Sequence, residues 1–403
     1  MKYRICSKRK SKKQFDVRLF YLFQFVFILT TFNREMLFLG MDFRYIGLCL
    51  EVLLIGIKLL KSKFVLRIGH LEKLFLWFYV LVLASGVSWE YNGLTPKPDL
   101  LFNLIVLNIY NFLAFVAFWM YKEYIEEGVV AKGVLISALV LCGSMFWVYS
   151  GNTLPELISS AQRTMSVDTG LGEHHNLFGQ GIRVAGFAED ANYATLFCMI
   201  SIATAVYFVK KKSYKLILCS IYAFGVALAF SRTILLGTAI AVVVVNIRKF
   251  IPRTDKVVYS GFVYGTLMGS VILPFMDFNN ILLTVSTRFS FWKHAAQLFL
   301  RNPLLGNGVG SFRHYQSSLY NNTWYVQCHN TWWQVLSEHG IITAIALAQL
   351  LIYLLTHTTS TYKRFLLVLM GVFFCSFEVV YLQIFILVLY VINVARKGDG
   401  YAK

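Results

Sequence analysis

A row of long apolar runs, broken by short clusters of lysine and arginine, constrains this chain more than any other feature. Runs of spanning length, or a little short of it, fall at about 19–32, 44–60, 73–90, 99–121, 133–149 and 190–209. Six more follow at about 216–230, 233–247, 257–276, 333–355, 365–379 and 382–395. Segments of this kind cross a bilayer as helices, so the expected fold is all-α: a polytopic membrane protein of about 12 transmembrane helices. Composition agrees. Only 14% of the 403 residues are charged and 57% are hydrophobic, whereas a soluble domain carries roughly a quarter charged residues. The formal charge of +18 sits in clusters between apolar runs rather than as a stripe on a polar domain, which argues against nucleic-acid binding.

Those clusters predict topology, because Lys and Arg accumulate in short cytoplasmic loops. With the amino terminus inside, the inner segments are 1–18, 58–73, 122–132, 210–215, 248–256, 356–364 and 396–403, and they hold 28 of the 38 basic residues. The expected organisation is a cytoplasmic basic arm, 1–18, and a single membrane domain, 19–403. The basic start and first apolar run resemble a secretory signal, but Asn33, Arg34 and Glu35 stand where a small-residue cleavage site would be, so the first helix is read as retained. Five of seven cysteines lie within apolar runs, Cys6 is in the arm and Cys328 in a polar loop, which implies no disulfide framework.

The kind of cation also differs across the membrane. The inner segments contain 20 Lys and 8 Arg, the outer ones 2 Lys and 8 Arg. A planar guanidinium suits bidentate binding of phosphate or carboxylate, so an anionic ligand is expected at the outer face. Two outer segments, about 150–189 and 277–332, are long enough to hold a site. The first ends in Arg183 and Gly186, then Glu189, Asp190 and Asn192 at a helix start, where acids and Asn also serve as caps. The second carries Arg288, Trp292, Arg301, a Gly306, Gly308, Gly310 series, Arg313, and His329 with Asn330 at the mouth of a helix. Alternating glycines free backbone amides to approach an anion or sugar, and a neutral imidazole accepts a proton near neutral pH. Arg232, directly after Ser231 between two apolar runs, sits where an ionisable group is costly unless paired or functional. No metal-ligand spacing appears on the outer face, so no metal or other cofactor is expected.

Together these elements resemble the O-antigen ligase and Wzy-type polysaccharide polymerase superfamily. The matching parts are Arg183 to Asn192, Ser231-Arg232, Arg288 with Trp292, the stretch Asn302 to Gly310, and His329-Asn330 followed by nine residues and Gly340. The last resembles the pattern H-[NSQ]-x9-G-x-x-G, except that Thr343 replaces its final glycine. The resemblance implies a GT-C-like helical glycosyltransferase in the bacterial cytoplasmic membrane. It would act without metal on glycans linked to undecaprenyl diphosphate at the outer face, and membrane lipid, a chain-length regulator and a flippase would be its partners. His329, Arg288, Arg232 and Arg183 become candidate catalytic residues. Asn330, Asn192, Trp292, Gly306, Gly308, Gly310 and Arg313 become candidate substrate contacts. The missing glycine favours a polymerase over a ligase. A transporter for the same lipid-linked sugar is the rival, but such folds usually bind near the midplane and often show repeated halves, neither of which is seen in this sequence. Mid-helix ionisable residues are few. For the main ones, Glu51 and Glu378, pairing with a neighbouring helix is expected.

Overall fold

The computed structural model describes residues 15–31, 37–38, 41–62, 67–88, 98–152, 165–167, 182–188, 190–247, 255–276, 283–320, 327–377 and 379–397. Every apolar run read from the sequence is occupied by a helix. These are α1 (Phe15–Leu29), α2 (Phe43–Lys61), α3 (His70–Ala84), α4 (Pro98–Met120), α5 (Glu127–Tyr149) and α6 (Ala191–Phe208). They continue with α7 (Lys212–Ala229), α8 (Arg232–Asn246) and α9 (Asp255–Ile272). The segment 277–332, which the charge pattern assigns to the outer face, contains α10 (Leu283–Arg301) and α11 (Ser311–Tyr320). After it come α12 (Thr331–His357), α13 (Thr361–Phe374) and α14 (Gln383–Val394), the last loosened by a π turn over Leu387–Val391. Two small antiparallel hairpins interrupt the helices: β1 (Leu37–Phe38) with β2 (Met41–Asp42), and β3 (Met165–Val167) with β4 (Ile182–Val184).

The molecule is a helical membrane protein. Among the described residues five helical stretches are long and apolar enough to cross a bilayer: α5, α6, α7, Lys256–Phe275 and α12. Others fall short. α1 and α3 have 15 residues each, about 22 Å of helix against a hydrocarbon core of roughly 30 Å.

The amino-terminal half is stitched together by aromatic rings. Phe20, Phe23 and Phe27 recur three and four residues apart on one face of α1, and all three rings meet Phe118 of α4 at 5.0–5.8 Å. Phe75 of α3 stacks on Phe115 at 4.9 Å, and both meet Tyr390 of α14 edge-on. Glu51 is fully buried on α2, yet neither carboxylate oxygen has a hydrogen-bond partner among the described residues, so the expected pairing is not formed there. Glu378 lies outside the described residues.

The carboxyl-terminal half centres on α12, whose 27 residues would extend about 40 Å if straight. It packs against α3, α9, α10, α11 and α13. At the other end of the bundle, ion pairs join segments far apart in sequence: Asp16 with Lys61, Lys58 with Glu123, Glu72 with Lys122, and Glu127 with Lys363. A bridge from Glu126 to Arg396 adds the carboxyl-terminal segment. All of these residues belong to, or directly flank, segments that the charge pattern assigns to one face.

Candidate active site

The other end of the bundle is organised by helix starts. Asp190 caps α6, its carboxylate accepting from the Asn192 amide at 2.6 Å. Asn330 caps α12 through the Trp333 amide at 3.1 Å. Ser231 caps α8 directly after Phe230, whose left-handed backbone (φ 35°) reverses the chain between α7 and α8 with almost no loop. A β-carbon on Gly186 (φ 59°) would collide with Ser144 and Met145. Glycine at this turn lets the stretch from Arg183 to Asn192 lie against α5, where the Phe187 amide donates to Ser144 Oγ.

Arg183 on β4 is held from two sides. Its Nε donates to the Ala229 carbonyl at 2.8 Å and its Nη2 to Asn192 Oδ1 at 3.0 Å, while Asn192 in turn donates to Asp190. Arg288 of α10 lies in the field of this group: Asp190 favours its charge, whereas burial and Arg183 oppose it. Its guanidinium sits over the Phe377 ring at 5.3 Å and forms no hydrogen bond or ion pair among the described residues. His329 meets the same ring edge-on at 6.1 Å. Burial, then Arg288, then Arg313 push the His329 imidazole down to about 3, so the ring is neutral, and its Nδ1 has no hydrogen-bond partner among the described residues. Its backbone is left-handed (φ 54°), an uncommon conformation that tends to mark functional positions. Arg183, Asn192, Arg288, Arg313 and His329 are therefore drawn into one electropositive neighbourhood. Arg232 is exposed at the first turn of α8, three residues beyond the carbonyl that holds Arg183.

Other expected contacts have different work. Trp292 is buried and donates to the Cys328 carbonyl at 3.0 Å, so it positions the backbone next to His329 and leaves no open ring face for a sugar. Asn330 is fully buried, and its amide nitrogen donates to the Cys375 carbonyl. The neighbouring Trp332 and Trp333 are buried as well. Two amides of the glycine series are taken up within the fold. The Gly306 amide bonds Asn302 and the Gly308 amide bonds Glu338, while Asn307 reaches Ser337 through both backbone and side chain. This loop clasps α12 at Gly340 (φ 77°), where the helix is broken and where a β-carbon would strike the Leu304 backbone. Backbone has to approach backbone here, and only glycine permits it.

Sequence reasoning missed the floor of the site, the linker between α13 and α14. Thr331 Oγ1 donates to the Phe377 carbonyl and accepts from the Val379 amide. Tyr381 donates to Glu338 Oε2 at 2.5 Å and meets His339 Nε2 at 2.8 Å, and His339 Nδ1 meets Ser85 Oγ at 2.7 Å. Glu338 Oε1 accepts from the Phe312 amide. The available signal was two adjacent ionisable residues, Glu338 and His339, early in an apolar run.

Residues 216–348 match the O-Antigen ligase family model. The superfamily resemblance carried by the motifs holds over this segment. The O-antigen ligase match takes in Arg232, Arg288, the glycine clasp, Arg313, His329 and the Gly340 break, while Arg183 and Asn192 lie ahead of it. No curated protein matches the chain.

Proposed function

We propose that the chain is a polysaccharide polymerase that joins oligosaccharide repeat units carried on undecaprenyl diphosphate, at the outer face of a bacterial cytoplasmic membrane, in a single membrane domain of about 12 helices. The observation that carries this reading is a neutral His329, its Nδ1 without a hydrogen-bond partner among the described residues, beside Arg288 and Arg313 within the segment that matches the ligase family. An acceptor hydroxyl attacks the anomeric carbon and the bond to the diphosphate oxygen breaks with inversion. His329 takes the hydroxyl proton, and the negative charge gathers on the departing diphosphate. Arg183, Arg232, Arg288 and Arg313 stabilise that charge more in the transition state than in the ground state.

The same charges explain how a suppressed imidazole can serve as base. Without substrate, Arg288 and Arg313 oppose its protonation. A bound diphosphate cancels much of their field, so the basicity of His329 rises when its proton is needed. Transfer of finished glycan to a different acceptor, as in a ligase, is the second reading, favoured by the name of the matching family. Thr343 at the final glycine position of the ligase pattern supports the polymerase.

The test uses purified protein in nanodiscs with a short lipid-diphosphate-linked repeat unit and no divalent metal, with products resolved by size. A ladder of longer glycans, lost in His329→Ala and Arg288→Ala proteins of normal fold, is expected. Full ladder formation by either variant refutes the assignment of that residue. Transfer of preformed polymer to a lipid core or protein, with no lengthening, would establish the ligase reading instead.

A further inference from the structure

At the end of the bundle away from His329, five segments that the charge pattern assigns to one face contribute to the lining of two adjoining cavities. One, of about 580 Å³, is lined by the approach to α13 from Thr358 to Thr361, by Tyr207 and by Lys397. The other, of about 490 Å³, lies between α5 and α6, mainly over apolar surface that includes Ala131, Leu135 and Phe208, with Lys132 at its edge. Glu127, Tyr207 and Lys397 border both. The wall between them is built, not incidental. Lys363 pairs with Glu127 at 2.9 Å and donates to the Ala395 carbonyl, and Arg396 bridges backbone to backbone with Ile125 and Glu127. Glu127 is thereby neutralised, while Lys132 and Lys397 are exposed and form no ion pair or hydrogen bond among the described residues.

We propose that this double cavity binds one anionic glycerophospholipid of the adjacent leaflet. Its phosphate sits between Lys397 and the first turn of α13, and its acyl chains run over Ala131, Leu135 and Phe208. The Ser360 side chain and carbonyl already satisfy the Lys363 and Arg364 amides, which leaves the Thr361 and Tyr362 amides at the amino-terminal end of α13 for the phosphate. Polar lining and cation meet apolar lining at Lys397, which is the arrangement a lipid headgroup and its tails require. Basic pockets between helices on the lysine-rich side of a membrane suit such headgroups. This site is separate from the arginine and histidine cluster at the far end of α12, so its fate does not depend on the proposed reaction.

The experiment measures the thermal shift of the purified full chain in neutral detergent on titration with phosphatidylglycerol, phosphatidylcholine or inorganic phosphate. Phosphatidylglycerol is expected to stabilise the wild type saturably. Each lysine near an anionic headgroup is worth roughly fivefold in affinity, so a Lys132→Gln/Lys397→Gln protein should need about 25-fold more lipid for the same shift. Lys256→Gln, an exposed lysine outside both cavities, should leave the curve unchanged. The proposal is overturned if phosphatidylcholine or free phosphate stabilises the wild type as well as phosphatidylglycerol does. It is equally overturned if the double variant titrates like wild type, or if Lys256→Gln weakens binding as much. Should the double variant fail to fold, the two single variants and the three-ligand comparison on wild type decide the same question.

Discussion

At the residue scale, His329 is the position where sequence and geometry make the sharpest demand. Its backbone is left-handed, and Asn tolerates that conformation far better than most residues. His329→Asn should therefore fold normally yet lose about 100- to 10,000-fold in glycan transfer, the usual contribution of a general base. Normal melting with near wild-type rate would remove the base from the mechanism. The pH dependence follows from the shift. The imidazole falls to about 3 in the free protein, against roughly 6.5 in an unfolded chain. A depressed value contributes stability above pH 6.5 that is lost progressively as pH falls toward 3. Accordingly kcat/KM, which reports the free enzyme, should show no histidine limb between pH 5 and 8. In kcat, which reports the substrate complex, an acid limb should appear at higher pH, because the bound diphosphate offsets Arg288 and Arg313. A histidine limb in kcat/KM near 6.5 would mean that burial and the two guanidiniums do not depress His329 as the geometry requires.

At the element scale, the break in α12 and its clasp decide how the outer turns of that helix stand. Gly340→Ala places a side chain at φ 77° against the Leu304 backbone. That positive φ with ψ 176° is a backbone region almost confined to glycine and costs of order 1–3 kcal/mol before any overlap is relieved, so a clear fall in melting temperature is expected. Tyr381→Phe removes the hydroxyl shared by Glu338 and His339, leaving two buried polar groups short of a partner at about 1–3 kcal/mol. Unchanged melting of both variants would mean that neither contact holds the helix. These contacts also show where sequence reading stops. The helices were legible because hydropathy is a local property, and the cap at Asp190 because short polar side chains at a helix start have a local job. The clasp was not legible, since alternating glycines look the same whether their amides face a ligand or another stretch of backbone. Trp292 suffered likewise: an aromatic in a polar loop can stack on a sugar or, as here, bury itself to fix the Cys328 carbonyl. The Phe377 and Tyr381 floor was invisible, because its partners lie about 40–90 positions away in sequence and no periodicity encodes that pairing.

At the scale of the whole molecule, lysines and arginines divide the protein into two chemically different ends. One end is tied by lysine–carboxylate pairs between distant segments, and the other gathers arginines around His329. The Lys58–Glu123 pair is exposed and contributes roughly 0–1 kcal/mol, while Asp16, Glu72 and Lys363 are buried partners in the other three. The significance of the set is topological: Lys58, Lys61, Lys122 and Lys363 can reach Glu123, Asp16, Glu72 and Glu127 only if their segments share a face. The division can be tested without any substrate. Three helices read as crossing the membrane, α7, α8 and α9, lie between Ser213 and Ser318, with α10 and α11 assigned to the segment that holds Ser318, and one, α12, lies between Ser318 and Thr359. An odd number of crossings places Ser318 opposite the other two, and all three positions are exposed. In a background lacking the native cysteines, a membrane-impermeant maleimide added to intact cells should label Ser318→Cys and spare Ser213→Cys and Thr359→Cys. Permeabilised cells should label all three. If Ser213→Cys and Ser318→Cys react from the same side, α7 to α9 do not cross the membrane an odd number of times. The arginine cluster would then face the same compartment as the lysines, where a glycan already moved to the outer face could not reach it.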